Sequence, residues 1–231
     1  MNLFFQPEIP NGLLALGPEE SRHAIKVLRL KPGDRIDITD GKGVFYEAQI
    51  TKPDLLKCGF AVQKTKVQPR KTFRIHIAIA PTKNTDRIEW FVEKTVELGI
   101  DQISFILCAN SERKSLKLDR LEKLAISAMK QSGQAWLPQF TPLLPFKEIL
   151  ASIAKQKFIA YVDSQNPQHL KSVARTEGEA LVLIGPEGDF SPEELQRAQD
   201  HGFQKVSLGN NRLRTETAGL AACHILNLIN S

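Results

Sequence analysis

Two loops near the carboxyl end of the chain carry residue types that could bind a cofactor. The first is LIGPEGDF, residues 183–190, which is followed at once by SPEEL; the second is VSLGNNRLRTETAG, residues 206–219. In each, glycine lies between an apolar run and a segment with the pattern of a helix start. Such a loop can bind a nucleotide, hold another cofactor, or serve only as a tight turn.

The segment SPEEL has the chemistry of a helix start. The Ser191 hydroxyl can accept a hydrogen bond from the Glu194 amide, and the Glu194 carboxylate can accept one from the Ser191 amide in return. Pro192 occupies the first helical position, which needs no amide hydrogen. This helix therefore begins without the help of a ligand.

The first loop does not have the pattern of a phosphate-binding loop. It lacks the GxGxxG spacing of dinucleotide sites and the lysine of the P-loop. Four carboxylates crowd the following helix start and would repel a phosphate there: Glu187, Asp189, Glu193 and Glu194. A dinucleotide oxidoreductase is therefore disfavoured. A neutral or cationic ligand fits better, and a tight turn without a ligand remains an alternative.

The second loop also joins a strand to a helix. Gly209 favours an irregular backbone, and Thr215 is a candidate N-cap, with Glu216 complementing the helix dipole. Arg214 stands beside this loop, where a surface salt bridge would be its ordinary role. Because both loops follow buried strands, they could meet at one crevice.

From Phe73 onward, strands and helices alternate. The predicted strands are FRIHIAIA, DQISFIL, FIAYV, ALVLI and KVSLG, and the predicted helices include TDRIEWFVEKTVELG, LKLDRLEKLAISAMKQSG and TETAGLAACHILNLIN. This alternation predicts a mainly parallel sheet covered by helices. Ligands in such folds bind at the carboxyl ends of the strands.

The first seventy residues are β-rich. DGKG predicts a hairpin turn between Ile36 and Ile38 on one strand and Val44 and Tyr46 on the next. SRHAIKVLRL is a candidate short helix that faces inward with Ile25, Leu28 and in part Val27, and KTKVQPRKTFR is a candidate linker. Short strands with glycine turns predict a small barrel.

Composition and charge limit the expected location of the protein and the classes of ligand and partner that it can bind. No apolar stretch has the length of a membrane span, and MNLFFQPEIPNG lacks the features of a signal peptide, so a cytoplasmic protein is expected. Three cysteines and five histidines are scattered, which disfavours a metal site. Residues 1–71 hold 12 Lys and Arg against 8 Asp and Glu, whereas the rest hold 19 against 18. A basic amino-terminal region is consistent with an RNA partner and also with an ordinary solvated surface.

The paired motifs IGPEGDFSPEEL and VSLGNNRLRTETAG resemble the carboxyl-terminal signature of the RsmE family. These are 16S rRNA methyltransferases of the SPOUT superfamily, which methylate N3 of a uridine. RIEWFVEKTVELGIDQI, KQSGQAWLP and RHAIKVLRLKPGDRIDITDGKG also resemble segments of that family, the last being similar to its PUA-like barrel. The resemblance covers nearly the whole chain.

The resemblance implies an α/β fold: a SPOUT-type, mainly parallel sheet with a C-terminal trefoil knot, preceded by a small PUA-like β-barrel. The implied domains are an RNA-binding domain over residues 1–70 and a methyltransferase domain over residues 71–231. It also implies a homodimer with an S-adenosylmethionine site at each subunit interface. Carried over by position, the cofactor-binding residues are Leu183, Ile184, Gly185, Glu187, Gly188, Leu208, Gly209, Leu213 and Arg214.

Arg214 and Glu216 are the candidate catalytic residues implied by the resemblance. Methylation at N3 requires uracil to lose a proton, so Arg214 could stabilise the resulting anion while Glu216 orients that arginine or acts as the base. For Glu216, a purely structural carboxylate at a helix start is the alternative. The contacts expected for 16S rRNA are Arg22, Lys26 and Arg29, each of which could also be a solvated surface charge.

The chain departs from the family pattern at two positions. Asp189 stands where the family often has glycine and is expected to lie past the cofactor loop, with little consequence. Gln134 stands where the family often has an arginine that could contact RNA or the neighbouring subunit; Lys130, one helical turn earlier, could replace it. The alternatives to a 16S rRNA uridine-N3 methyltransferase are a SPOUT enzyme for another RNA site and a non-catalytic RNA-binding ribosome assembly factor.

Overall fold

The computed structural model describes residues 3–161 and 168–231. The chain divides into two compact units. The first comprises Met1–Arg70 together with Ile126–Leu137, and the second comprises Lys71–Ala125 together with Pro138–Ser231. Within the described ranges, no helix has both the length and the apolar character needed to cross a membrane.

The first unit is built on one four-stranded sheet. Its strands are β1 (Leu3–Phe5), β2 (Arg35–Thr39), β3 (Val44–Lys52) and β4 (Gly59–Val67), and its sheet order is β1-β2-β3-β4. Strand β1 runs parallel to β2, whereas the other pairs are antiparallel. A short helix, α1 (Pro18–Arg22), is followed by a π-helical turn, His23–Val27. Apolar side chains such as Phe4, Ile38 and Phe60 form the core of this unit.

The predicted hairpin between β2 and β3 is confirmed. Ile36 and Ile38 pair with Ala48 and Tyr46 across the two strands, and all four are buried. The turn contains two glycines with positive φ, as the sequence DGKG indicated.

The hairpin turn also binds a segment from the middle of the chain. The Gly43 amide donates to the Ala135 carbonyl at 2.8 Å, and the Trp136 indole donates to the Gln68 carbonyl at 3.0 Å. A Cβ atom at Gly43 would collide with the indole ring of Trp136. Glycine is therefore required at position 43 both by its φ of +100° and by the close approach of the indole ring. These contacts also agree with the grouping of Ile126–Leu137 in the first unit.

The predicted helix at SRHAIKVLRL forms, with one difference. Ile25 and Leu28 pack against the core, as expected. Val27 is 65% exposed, so its predicted inward orientation is wrong. The cause is the π-helical turn: the Leu28 amide donates to the His23 carbonyl, five residues earlier, and this widened turn changes which side chains face the core.

The predicted linker is wrong for residues 64–67. These residues complete β4, where Val67 pairs with Val44 and Thr65 pairs with Tyr46. Residues 63–67 are all exposed, so no alternation of burial marks this end of the strand. This end of β4 is recognised by its backbone pairing with β3 and not by a hydrophobic pattern in the sequence.

The second unit contains a six-stranded sheet in which every pairing is parallel, which confirms the predicted mainly parallel α/β fold. Its strands are β5 (Phe73–Ile79), β6 (Gln102–Leu107), β7 (Gln139–Pro145), β8 (Gln156–Ala160), β9 (Gly178–Ile184) and β10 (Gln204–Val206). The sheet order is β10-β8-β9-β5-β6-β7. Strand β7 was not predicted; it contains Pro142 and Pro145 and lies at an edge of the sheet, where proline is tolerated.

Helices follow the strands of this unit, and the longer ones have an apolar face. The helices are α2 (Thr85–Glu97), α3 (Leu118–Gln131), α4 (Phe146–Ile149), α5 (Leu170–Val173), α6 (Pro192–Asp200) and α7 (Thr215–Ile229); residues of α3 from Ile126 onward group with the first unit. Helix α2 buries Ile88, Phe91 and Val92, as predicted. It packs closely on α7, because a Cβ atom at Gly219 would lie 2.5 Å from the Phe91 ring.

Candidate cofactor-binding and active site

A cavity of about 770 Å³ lies at the carboxyl ends of β8, β9 and β10. Both glycine loops singled out in the sequence line this cavity, so the expectation that they meet at one crevice is confirmed. Parallel sheets commonly bind ligands at this edge. The walls are formed by Arg87 of α2, Ala160 and Tyr161, residues 184–187 and Asp189 of the first loop, residues 206–215 of the second loop, and Ala218 of α7.

The first loop turns sharply between β9 and α6. The Asp189 amide donates to the Pro186 carbonyl at 2.9 Å and closes the turn. A Cβ atom at Gly185 would lie 3.1 Å from the Phe190 ring, which leaves little room for a side chain. Glu187 Oε1 accepts a hydrogen bond from the Lys83 amide at 3.1 Å. The loop is therefore held by bonds within itself and to the segment before α2.

Asp189 lies on the wall of the cavity, so the expectation that it lies past the cofactor loop is wrong. Its φ of +61° is a conformation that glycine adopts freely and Asp tolerates. This explains why glycine is suited to the same position in the RsmE family. Asp189 Oδ1 accepts a hydrogen bond from the Phe190 amide at 2.8 Å. Burial raises the pKa of the Asp189 carboxyl above its ordinary value.

Helix α6 begins with the capping box predicted from SPEEL. The Glu194 amide donates to Ser191 Oγ at 3.2 Å, and the Ser191 amide donates to Glu194 Oε2 at 2.9 Å. Glu194 Oε1 accepts a further hydrogen bond from the Ala109 amide at 2.8 Å. Both carboxylate oxygens are therefore used within the protein, and this helix start needs no ligand.

Helix α7 begins differently. Arg214 occupies the N-cap position, and its side chain makes no capping hydrogen bond. Thr215 is the first residue of the helix, and its hydroxyl donates to the Gly185 carbonyl of the first loop at 3.0 Å. The prediction that Thr215 caps α7 is wrong because its hydroxyl joins the two loops instead.

Most of the residues predicted to bind the cofactor line the cavity: Ile184, Gly185, Glu187, Leu208, Gly209, Leu213 and Arg214. The other two lie elsewhere. Leu183 is fully buried within β9. Gly188 faces Asn110, whose Cβ would lie 3.0 Å from a Cβ added at Gly188.

Several residues of the cavity wall were not predicted from the sequence. The most important is Arg87, in the first turn of α2. The signal for it was available, because α2 follows β5, whose carboxyl end lies at the same edge of the sheet as that of β9. Ala160, Tyr161, Ser207 and Ala218 were also missed.

The charge of the cavity is mixed. Of the four carboxylates that the sequence places at the first loop and the start of α6, only Glu187 and Asp189 line it. Three arginines also reach its walls: Arg87, Arg212 and Arg214. The cavity is therefore less acidic than the sequence alone indicated, and its carboxylates all come from the first loop.

Glu216 lies on a neighbouring cavity of about 580 Å³, whose walls also include Arg87 and Arg214. It is only 7% exposed. Its Oε1 lies 3.8 Å from Arg87 Nε, and its Oε2 is out of solvent and accepts no hydrogen bond in the part of the chain that the structure describes. Because Arg214 lines both cavities, the structure brings the two predicted catalytic residues onto the walls of this second cavity.

The predicted RNA contacts Arg22, Lys26 and Arg29 are all exposed on the first unit. They lie on α1, the π-helical turn and the residues that follow it. Lys130, considered as a replacement for the family's arginine, pairs instead with Glu20 at 2.5 Å within the same unit. That ion pair makes Lys130 less available to RNA.

Metal binding finds no support in residues 3–161 and 168–231, where no group of three or more His, Cys, Asp or Glu side chains could hold an ion. The three cysteines are free and buried. Burial raises the pKa of the Cys223 thiol to about 12 and also raises that of Cys108. These thiols are therefore protonated at neutral pH and are poor nucleophiles.

A family model described as an RNA methyltransferase domain matches residues 69–227, and a model described as an RNA methyltransferase PUA domain matches residues 16–58. The chain belongs to this family of RNA methyltransferases.

The relatives specify the branch of the family. "Ribosomal RNA small subunit methyltransferase E" of Bacillus subtilis is 27% identical over 88% of this chain and 85% of that protein. The Neisseria gonorrhoeae protein of the same name, solved bound to S-adenosyl methionine, is 28% identical with a TM-score of 0.87, covering 100% of this chain and 98% of that one. A probable rRNA-methyltransferase from Porphyromonas gingivalis is 43% identical with a TM-score of 0.92 over the same shares. The resemblance to the RsmE family is confirmed.

Proposed function

We propose that this protein transfers a methyl group from S-adenosylmethionine to N3 of a specific uridine in 16S rRNA of the small ribosomal subunit. The observation that carries the proposal is the cavity lined by the loops that follow β9 and β10. A hydrogen bond from Thr215 to Gly185 joins these two loops. Relatives named for methylation of small-subunit rRNA support the RNA target, and a relative solved with S-adenosyl methionine supports the cofactor.

The residues of the cavity fit this cofactor. S-adenosylmethionine has no phosphate, but it carries both a sulfonium cation and a carboxylate. The carboxylates of Glu187 and Asp189 favour the cation, and the arginines on the walls favour the carboxylate. Gly185 and Gly209 allow close approach to the backbone, and Leu208 provides an apolar wall. The Thr215–Gly185 bond fixes the two loops before binding, which reduces the entropy lost when the ligand is ordered. The proposed site is completed by Ile184, Leu213 and Arg214. Leu183 and Gly188 do not line the cavity and contribute to the packing of the first loop.

The proposed chemistry assigns one task to each catalytic residue. When bound, S-adenosylmethionine supplies an electrophilic methyl group. Glu216 accepts the proton of N3, because its carboxylate is short of hydrogen-bond partners. Arg214 stabilises the negative charge that the uracil ring gains when this proton leaves. Proton transfer to a positioned base typically contributes a factor of about 10²–10⁴.

The remaining assignments concern assembly and RNA binding. The RNA-binding domain covers residues 1–70, to which residues 126–137 add a segment in the fold. The methyltransferase domain lies within residues 71–231 and ends in a trefoil knot. Arg22, Lys26 and Arg29 contact phosphates and position the rRNA without reading its bases. The protein is a cytoplasmic homodimer, with each active site at the subunit interface.

The test is a methyl-transfer assay with labelled S-adenosylmethionine. Unmethylated small subunits and free 16S rRNA are the substrates, and the product is digested and analysed as nucleosides. We expect a 3-methyluridine peak that Arg214→Ala abolishes while calorimetry still detects cofactor binding. Cofactor binding without transfer to either substrate would show that the RNA target is wrong. No cofactor binding would favour the RNA-binding assembly factor.

A further inference from the structure

A second cavity lies beside the cofactor cavity and shares part of its wall. Its volume is about 580 Å³, and it has Arg87, Arg214 and residues 212–213 in common with the larger cavity. Its remaining walls include Trp90 and Glu216. A group held here would therefore lie next to whatever occupies the larger cavity.

Glu216 is a buried charged group on these walls. It is more than nine-tenths buried, and one of its oxygens accepts no hydrogen bond from any described residue. The nearest charge, Arg87 Nε, is 3.8 Å from the other oxygen, which is too long for a hydrogen bond. A buried acceptor without a partner costs about 1–3 kcal/mol. Because Glu216 lines this cavity, a donor bound there would meet a carboxylate that the described residues leave short of hydrogen bonds.

Trp90 gives the same cavity an aromatic wall. Its side chain is 41% exposed, although its neighbours Ile88, Phe91 and Val92 on α2 are completely buried. Enzymes that act on a base commonly hold it against an aromatic side chain while reading its Watson–Crick edge. Stacking of a base on an aromatic side chain contributes about 1–3 kcal/mol.

We propose that the second cavity binds the uracil ring of the target nucleotide, with Trp90 as the stacking surface. The Watson–Crick edge of uracil presents an acceptor at O2, a donor at N3 and an acceptor at O4. Arg87, Glu216 and Arg214 supply the complementary groups. The two guanidinium groups can donate to O2 and O4, and the carboxylate can accept from N3–H. This inference rests on the proposed methylation of N3 and names the residues that select the base.

The arrangement explains selection against cytosine. Cytosine presents an acceptor at N3, which would face the Glu216 carboxylate, and an amino group at position 4, which would face a guanidinium. Both contacts are repulsive. With uracil, the N3–H proton would pass to Glu216. The electron pair left on N3 would form the N3–CH3 bond as the S–CH3 bond breaks, with S-adenosylhomocysteine as the leaving group. Arg87 and Arg214 then face the two oxygens that share the negative charge.

Base discrimination in binding is the measurement that tests this inference. The wild type is first assayed on small subunits and free 16S rRNA, and the methylated position is mapped. The form that it methylates is then prepared with uridine or cytidine at that position, and Kd is measured for both with S-adenosylhomocysteine present. We expect the wild type to bind the uridine RNA about tenfold more tightly. Glu216→Gln should lower this ratio to about one. Glu93→Gln, which changes a half-buried carboxylate of α2 that lines neither cavity, should leave the ratio unchanged.

Two further pairs of variants test the other walls. Trp90→Ala should raise KM for the RNA about tenfold, and Trp90→Phe should restore most of the loss because the ring is retained. Arg87→Ala should lower the discrimination ratio to about one. Arg197→Ala, which removes an exposed arginine of α6 that lines neither cavity, is the matched control and should not change it. In the Trp90, Glu216 and Glu93 variants the cofactor Kd should stay close to the wild-type value and the melting temperature should not fall, because none of these residues lines the larger cavity.

Failure of this inference can be distinguished from failure of the proposed function. If the wild type makes 3-methyluridine but Glu216→Gln and Arg87→Ala keep the tenfold preference, the base is read elsewhere and the proposed function stands. If the discrimination is lost only together with cofactor binding or thermal stability, the residues act structurally and the inference is wrong. If the wild type methylates neither substrate, the proposed function fails and this inference fails with it.

Discussion

Helices α6 and α7 both begin just after a loop that follows a strand of the parallel sheet, and both carry a glutamate in the first turn. At α6, Glu194 uses both of its carboxylate oxygens for backbone amides. At α7, Glu216 has one oxygen without a hydrogen bond among the described residues, and the N-cap side chain makes no capping bond. Thr215, which could have stabilised the helix locally, bonds to the other loop instead.

The start of α6 stabilises the fold, whereas the start of α7 has side chains that can interact with a ligand. The first turn of α6 is completed by its own chain, so a ligand adds nothing to it. The first turn of α7 contains Glu216, one oxygen of which accepts no hydrogen bond from the described residues, and this residue lines the second cavity. Functional sites are where local rules of stability are commonly broken. Changes at Glu216, Thr215 and Ser191 test this contrast, and a change at Asp189 extends the test to the first loop; the expected effects decrease in that order.

The largest effect is expected from Glu216→Gln. Methyl transfer should fall by a factor of about 10²–10⁴, because the amide cannot accept the N3 proton. The thermal midpoint should stay the same or rise, since the change removes a buried charge that lacks a full set of hydrogen bonds. Initial rates and thermal melts measure the two effects. Glu194→Gln should show the reverse pattern, with lower stability and retained cofactor binding; equal losses of stability at both positions would remove the contrast.

Thr215→Val should weaken cofactor binding by about three- to tenfold. The variant keeps the shape of the side chain but removes the hydroxyl that donates to the Gly185 carbonyl, a bond of about 0.5–1.5 kcal/mol. Calorimetric titration with S-adenosylmethionine measures the change. Thr215→Ser keeps the hydroxyl and should bind as the wild type does. If Val and Ser variants bind equally well, the bond between the loops does not organise the site.

Ser191→Ala should lower the free energy of unfolding by about 1 kcal/mol, which is typical of a lost N-cap. Its cofactor Kd should stay within about twofold of the wild type, because Ser191 is absent from the walls of both cavities. Urea denaturation and calorimetry give the two values. Ser191→Asp should keep the cap and the stability. A weakened cofactor Kd in Ser191→Ala would mean that the start of α6 also contributes to binding.

The smallest effect is expected at Asp189, and it depends on pH. Burial raises the pKa of this carboxyl in the folded state, so the unfolded chain loses the proton first as the pH rises. The stability of the wild type relative to Asp189→Asn should therefore fall as the pH rises from the ordinary Asp value through the raised folded value. Below that window the ionisation contributes no difference. Urea denaturation at a series of pH values measures it, and an opposite slope would show that the carboxylate is stabilised rather than desolvated.

Local chemistry made much of the second unit predictable from the sequence. Capping boxes, apolar stripes and buried strands are set by residues that are close together in the chain, so SPEEL and the inner face of α2 were read correctly. Strand β7 was missed because Pro142 and Pro145 are typical of loops, and only its position at the edge of the sheet makes them compatible with a strand.

The site was less predictable because its decisive contacts join distant residues. Thr215 resembles an N-cap in sequence, yet its partner is the carbonyl of Gly185, 30 residues earlier. Arg87 reaches the cavity from a helix whose amphipathic pattern says nothing about a ligand. Positive φ at Asp189 depends on the turn that the whole loop adopts. The motifs located the loops, and the tertiary structure decided which atoms face each other.

The hairpin turn that holds Ala135 and Trp136 has a consequence for synthesis of the chain. Domains usually fold in order as they leave the ribosome. Here the first unit lacks part of its own structure until residues 135–137 have emerged, by which time β5 and β6 have already been made. We therefore expect a nascent chain that ends at residue 70 to be more sensitive to protease than one that ends beyond residue 137. The amino-terminal unit is translated first, but it is completed later than its position in the gene would indicate.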